Sequence, residues 1–162
     1  MAVQPIPEGY RTITPYLCVD NGAAAIEFYE RAFGAKEAVR MAGPGDSIMH
    51  AELEIGDSKI GLSDPFPQGL TKPPNELGGT SVSILVYVED ADTLYKQAID
   101  AGATSLMEPD DMFWGDRFGS VQDPFGHSWT IATHIEDVSP EEMEKRSQQW
   151  QEQMAGMASQ QA

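Results

Sequence analysis

Two stretches of this chain hold most of the residues able to do chemistry. The first is Met49-His50-Ala51-Glu52-Leu53, with an imidazole and a carboxylate two residues apart. On a strand that spacing sends both side chains to one face. A buried Glu52 beside His50 can titrate near neutrality and move a proton. The second stretch runs from Met112 to His134. Phe113, Trp114, Asp116 and Arg117 stand at its entrance, and His127, Trp129 and His134 at its exit. Phe113 and Trp114 offer flat walls to a ligand. Arg117 can grip a carboxylate or phosphate through two parallel N–H groups, and Asp116 either holds Arg117 or meets a cationic ligand. Each candidate has a plainer reading. His50 is then a rim histidine, Glu52 an ion-pair partner, Asp116–Arg117 a fold-stabilising pair, Trp129 core and His127 a turn cap. Ser81, Ser83 and Cys18 lack an activating neighbour and read as wall residues.

These residues need elements to position them. Arg11 to Val19 reads as a strand, followed by a helix capped at Asp20 or Asn21 and stopped by Gly34. A weak strand covers 35–41. Ser47 to Ile55 alternates, with Met49, Ala51, Leu53 and Ile55 on one face and His50, Glu52 and Glu54 on the other. Gly56-Asp57 turns it into a return strand, Lys59 to Ser63. Residues 64–80 contain four prolines and three glycines and read as a connector, in the manner of a mobile flap. Ser81 to Val88 is a strand with Val82, Ile84, Val86 and Val88 on one face. A second helix, capped at Glu89 or Asp90, runs to Ala101 and stops at Gly102. A short strand, Thr104 to Met107, leads to a hairpin turned by Asp123-Pro124-Phe125-Gly126.

The two halves repeat. Val19 corresponds to Val88, Gly34 to Gly102 and the Gly56 turn to the Gly126 turn, all at offsets of 68 to 70 residues. The unit is strand, helix and three strands, used twice (about 9–63 and 81–134). Together they form one domain over 1–137. Ser139-Pro140-Glu141-Glu142 is a capping box that opens a further helix to about Met154, with a frayed tail to Ala162.

The chain has 162 residues, 41% of them hydrophobic, so it can bury a real core. Its formal net charge of −16 leaves no basic footprint for nucleic acid or an anionic membrane. The lone cysteine excludes an internal disulfide, and no apolar run is long enough to span a bilayer. With no signal-like start at Met1 to Gly9, the expected location is cytoplasmic.

The helix-facing sides of the first strand and of Ser81 to Val88 are aliphatic. Their other sides, with Thr14 and Tyr16 on one and Ser83 and Tyr87 on the other, suit the lining of a pocket, and Thr130 adds to it from the last strand. Thr14-Pro15-Tyr16-Leu17, Met49 to Leu53 with Gly56-Asp57-Ser58, Met112 to Arg117, Asp123 to Thr133 and the repeat together resemble the vicinal oxygen chelate superfamily. That superfamily includes glyoxalases, bleomycin-resistance proteins and dioxygenases, and the resemblance is to its PhnB-like branch, over roughly residues 9 to 137. It implies an α+β fold of two βαβββ modules curving a mixed sheet around a cavity. Sheet edges left by such modules imply a homodimer. Metal-dependent members place a His or Glu ligand on each of four strands. The matching positions here are Thr14, Glu52, Ser83 and Thr130, of which only Glu52 is a plausible ligand. No cofactor is therefore expected, and a divalent metal would need a shifted site from His50, Glu52 and His134. The leading expectation is a small-molecule ligand bound in a metal-independent cavity. The alternatives are a lyase or isomerase activity using Glu52, with or without a metal at His50, and a structural or regulatory partner role.

Overall fold

A computed structural model describes residues 3–69 and 71–160. The ends of the chain at 1–2 and 161–162, and residue 70 of the connector, lie outside the described residues.

The elements follow the repeat. The first module contains β1 (Tyr16–Cys18), α1 (Gly22–Phe33), β2 (Lys36–Ala42), β3 (Ile48–Ile55) and β4 (Ser58–Ser63). A short helix α2 (Pro74–Leu77) interrupts the connector. The second module contains β5 (Ser83–Tyr87), α3 (Ala91–Ala101), β6 (Thr104–Asp111), β7 (Asp116–Gln122) and β8 (Ser128–His134), and α4 (Pro140–Gln160) follows.

Both long module helices start and stop for local reasons. Asn21 accepts from the Ala24 amide at 3.1 Å, and Asp90 from the Thr93 amide at 3.0 Å. Gly34 (φ 64°) and Gly102 (φ 118°) end the two helices in the left-handed region, where a side chain is disfavoured. Each module folds its strands into a four-stranded mixed sheet, β1-β4-β3-β2 and β5-β8-β7-β6, with the first and last strands of each module parallel.

Each module keeps its own four-stranded sheet, and no strand pairing joins the two among the described residues. The modules instead meet through their helices and one aromatic core. Tyr29 and Phe33 of α1 pack on Trp129 of β8, with ring centroids 5.3 and 4.4 Å apart, and Phe28 meets Phe125 edge-on. Gln97 of α3 donates to the Arg31 and Ala32 carbonyls that end α1. Ala51, Leu53 and Leu62 from the first sheet and Val121, Trp129 and Ile131 from the second complete this core on the helix-facing sides.

Several boundaries move from the sequence expectation. The first strand is only three residues, since its pairing with β4 begins at Tyr16, and Ile13 is exposed. Val82 likewise lies outside β5 and is exposed. β6 continues past Pro109 by means of register shifts in its pairing with β7. The connector is anchored where a flap was expected. Asn75 of α2 donates to Asp20 and to the Pro124 carbonyl, joining the two modules. α4 extends six residues beyond Met154.

Candidate functional site

The outer face of the first sheet, away from the helices, carries the first polar cluster. Tyr16, Gly61 and Glu52 lie in one row across β1, β4 and β3. Gly61 has no side chain, so the Tyr16 ring lies across β4. It stacks on His50 at 5.7 Å, and its hydroxyl is 2.9 Å from His50 Nδ1. A Cβ on Gly61 would stand 2.5 Å from Tyr16 Cδ2. His50 Nε2 is 3.3 Å from Glu52 Oε1, and Lys59 Nζ is 3.5 Å from Glu52 Oε2. Tyr10, from the segment before β1, donates to the same carboxylate and carries the Lys59 ammonium 4.9 Å above its ring. These contacts, Tyr10 first and then His50 and Lys59, hold the Glu52 carboxyl below its ordinary range against the opposing effect of burial. The Tyr10 phenol is pushed up to about 12, mainly by donating to Glu52.

The outer face of the second sheet carries the second cluster. The hydroxyls of Ser83 and Thr130 are 2.9 Å apart, and Ser120 and Ser128 extend the ladder at 3.3 Å each. Further along, Asp116 is buried and accepts three hydrogen bonds. They come from Tyr87 at 2.8 Å, Trp114 Nε1 at 3.1 Å and His134 Nδ1 at 2.8 Å. Phe113 packs edge-on against Trp114 at 5.1 Å and meets Trp150 of α4 at 5.8 Å. Phe113 and Trp114 thus brace the start of β7 against the C-terminal helix.

The Arg117 guanidinium is engaged by carboxylates of this chain. Arg117 pairs with Thr133 across β7 and β8, which puts its side chain on the helix side of the sheet, opposite Asp116. There its guanidinium is taken by Asp92 at the start of α3 and by Asp111 at 2.9 Å, and both raise its already high pKa. Asp116 correspondingly holds no arginine. Adjacent strand residues point to opposite faces, and the expectation of an Asp116–Arg117 pair overlooked that alternation.

The metal positions also change. Thr130 lies on β8, the last strand of its module, and directly opposes Leu85. In the first module the equivalent pair is Tyr16 and Gly61, since Val19 corresponds to Val88. The fourth position is therefore Gly61 on β4. Glu52 lies one strand away on β3, in the place that Ser120 holds on β7. Thr14, Gly61, Ser83 and Thr130 offer three hydroxyls and no side chain at all, a set that fits none of the usual transition metals. The shifted alternative also fails to assemble. His50 and Glu52 are on the first sheet, while His134 on the second is held by Asp116 and Asp137. Among the described residues no three His, Cys, Asp or Glu side chains gather as a metal site.

A cavity of about 640 Å³ opens between the modules. Phe33, Ile60, Ile84, Val86, Leu94 and Trp129 form its apolar wall, and Arg11, Thr14, Ser58 and Tyr87 its polar parts. Of the residues expected to line a pocket, only Thr14 and Tyr87 border this cavity. Tyr16, Ser83, Phe113, Trp114, Asp116 and Thr130 belong to the outer sheet faces. Tyr10, Lys59 and Gly61 were overlooked in the sequence, although the Gly56-Asp57 hairpin register already puts Lys59 and Gly61 on the face of Glu52.

Comparisons with known proteins agree with this geometry. Residues 11–131 match the family model of the glyoxalase/bleomycin resistance protein/dioxygenase superfamily. An uncharacterized protein of Mycobacterium tuberculosis is 41% identical over 135 residues, covering 82% of this chain and 79% of its own. Protein YjdN of Escherichia coli is 28% identical over 140 residues, covering 74% and 92%. Among solved structures, TioX from Micromonospora sp. ML1 is similar with a TM-score of 0.63 and 26% identity, covering 77% of this chain and 99% of its own. The PhnB protein from Bacillus cereus shares the fold, with a TM-score of 0.57 at 21% identity over 76% of this chain and 99% of its own. The repeated βαβββ modules, their strand order and these matches show that the chain belongs to the glyoxalase/bleomycin resistance protein/dioxygenase superfamily.

Proposed function

We propose that this protein binds a small, mainly apolar molecule in the cavity between its modules, without a metal. The observation that carries this reading is the cavity itself. Its volume, about 640 Å³, lies in the range of small-molecule sites, and an aliphatic and aromatic wall is set off by a few polar groups. A purely structural or regulatory role would have been favoured by an interior packed shut. Its cations are already matched, Arg11 by Asp57 and Lys59 by Glu52 and Glu54, which favours a neutral ligand with one polar end at Thr14. The reading includes a homodimer. Leu85 and Tyr87 leave apolar surface exposed on the outer face of the second sheet, and a second chain is suited to cover it. Light scattering on a sizing column tests that part.

The cavity is tested with the neutral fluorescent probe N-phenyl-1-naphthylamine. Saturable binding at one site per chain is expected, unchanged by EDTA and lost in Val86→Trp, which fills the cavity. Unsaturable binding, or binding indifferent to Val86→Trp in a folded protein, overturns the reading.

A further inference from the structure

We infer that Tyr16, His50 and Glu52 form a nucleophilic relay in which the Tyr16 oxygen accepts an acyl group from a reactive ester or thioester. This site is separate from the proposed cavity and goes beyond ligand binding. Activated nucleophiles share one geometry, in which the nucleophile touches a base and a third group orients that base. All three parts are present. The Tyr16 hydroxyl is 2.9 Å from His50 Nδ1, and His50 Nε2 is 3.3 Å from Glu52 Oε1. A carboxylate on Nε2 favours the tautomer with the proton there, which leaves Nδ1 as a lone pair aimed at the phenol.

The other tyrosines provide the contrast. The chain has five. Tyr29 donates to Asp123, Tyr87 to Asp116 and Tyr10 to Glu52, all carboxylates, and each of these phenols is shifted upward, away from ionisation. Tyr95 donates to the Ser105 hydroxyl, which is no base. Tyr16 alone faces an imidazole nitrogen, whose lone pair can accept its proton. It is also accessible, with 54% of its surface exposed on the outer sheet face.

The surroundings suit the task. Glu52 is kept ionised by Tyr10 and Lys59, so it can stabilise an imidazolium at His50. On the other side, β2 places only Val39 and Met41 opposite Glu52 and His50, so no further charge competes for the ring. Gly61 is the positioning residue, since it lets the Tyr16 ring cross β4. In the reaction the Tyr16 oxygen attacks the acyl carbon and the phenolic proton passes to His50 Nδ1. The bond to the leaving alkoxide or thiolate then breaks, and His50 can return the proton to that group. No oxidant, reductant or metal enters.

The test is p-nitrophenyl acetate with the full chain, following nitrophenolate release and mapping acetylated peptides by mass spectrometry. Tyr16 is expected to acetylate on the order of 100-fold faster than Tyr95, a typical gain from general-base assistance. His50→Gln should bring Tyr16 to the Tyr95 rate. Glu52→Gln, and Gly61→Ala through displacement of the ring, should each lower the Tyr16 rate at least tenfold. Circular dichroism confirms that each variant folds, and any one folded variant suffices. The proposal is overturned if Tyr16 reacts no faster than Tyr95, if the folded variants keep the wild-type rate, or if the label rests on His50. Probe binding in the inter-module cavity should persist in these variants, so either reading can fail alone.

Discussion

The Tyr29 hydroxyl donates a 2.7 Å hydrogen bond to Asp123 Oδ2, joining a helix of the first module to a turn of the second. Asp123 is buried and accepts three more bonds, from Trp129 Nε1 and from the amides of Phe125 and His127, all at 2.9 Å. Burial, and then the neighbouring charge, push the Tyr29 phenol well above its ordinary pKa, so it stays a donor. Removing the acceptor strands four donors, whereas removing Tyr29's hydroxyl strands none. Asp123→Ala should therefore cost about 3–5 kcal/mol in urea unfolding, and Tyr29→Phe only about 1 kcal/mol. Equal costs would show that the carboxylate is not the centre of the module junction.

Arg117 separates two roles by experiment. If it ties α3 to the second sheet through Asp92 and Asp111, Arg117→Ala lowers the melting temperature slightly and leaves probe binding in the cavity unchanged. A folded Arg117→Ala protein that had lost probe binding would return Arg117 to the ligand.

Much of the fold was legible because local rules and the repeat agree. Asn21, Asp90, Gly34 and Gly102 bound their helices as their residue types require, and Trp129 is core as its strand face implied. Ser139 accepts from the Glu142 amide at 3.3 Å, as the capping box required. α2 was readable too, since Pro74 opens it and Gly78 closes it at φ 77°, but proline content alone suggested a loose connector. What stayed hidden depends on contacts between distant segments. Asp123 looks like an ordinary turn residue until Tyr29 arrives from α1. Tyr10 gives no signal in sequence that it will reach Glu52. Strand faces show which residues lie together, but not whether two sheets join, and that decides which candidates share a cavity. The site was therefore legible as one cluster, His50 with Glu52, whereas the bond from Tyr87 to Asp116 was not.

Gly115 fixes the loop that carries Trp114 and Asp116. Its φ is 97°, and its carbonyl accepts from the amides of Ile135 and Glu136, at 2.9 and 3.0 Å. A Cβ there would collide with the Glu136 carbonyl oxygen, a backbone atom with no easy way to yield. Gly115→Ala combines that clash with left-handed strain and should cost about 2–3 kcal/mol. The loss should be local at first. Hydrogen exchange should rise at Ile135 and Glu136, and Trp150 fluorescence should shift red as Phe113 leaves it. Unchanged exchange at both amides would show that the loop is held elsewhere.

His134 sits between two carboxylates, with Nδ1 2.8 Å from Asp116 and Nε2 3.0 Å from Asp137. An imidazole donates from both nitrogens only when protonated. Asp137 and then Asp116 raise its pKa above the ordinary 6.5, against a smaller opposing effect of desolvation. The folded protein thus holds this proton more tightly than the unfolded chain. The resulting stability is fully present below pH 6.5 and is lost as pH rises through the raised pKa. Asp116 behaves in the opposite sense. Burial alone would raise its pKa, but hydrogen bonds from His134, Tyr87 and Trp114 outweigh that and lower it. Its contribution is present above 3.8 and is lost as acid titrates it through the lowered value. In melting experiments, His134→Gln should therefore be less stable than wild type at about pH 6, and the gap should close towards about pH 9. Asp137→Asn should shrink the same gap without touching Asp116. A gap that stays constant across that range would mean His134 is held by packing rather than by its charge.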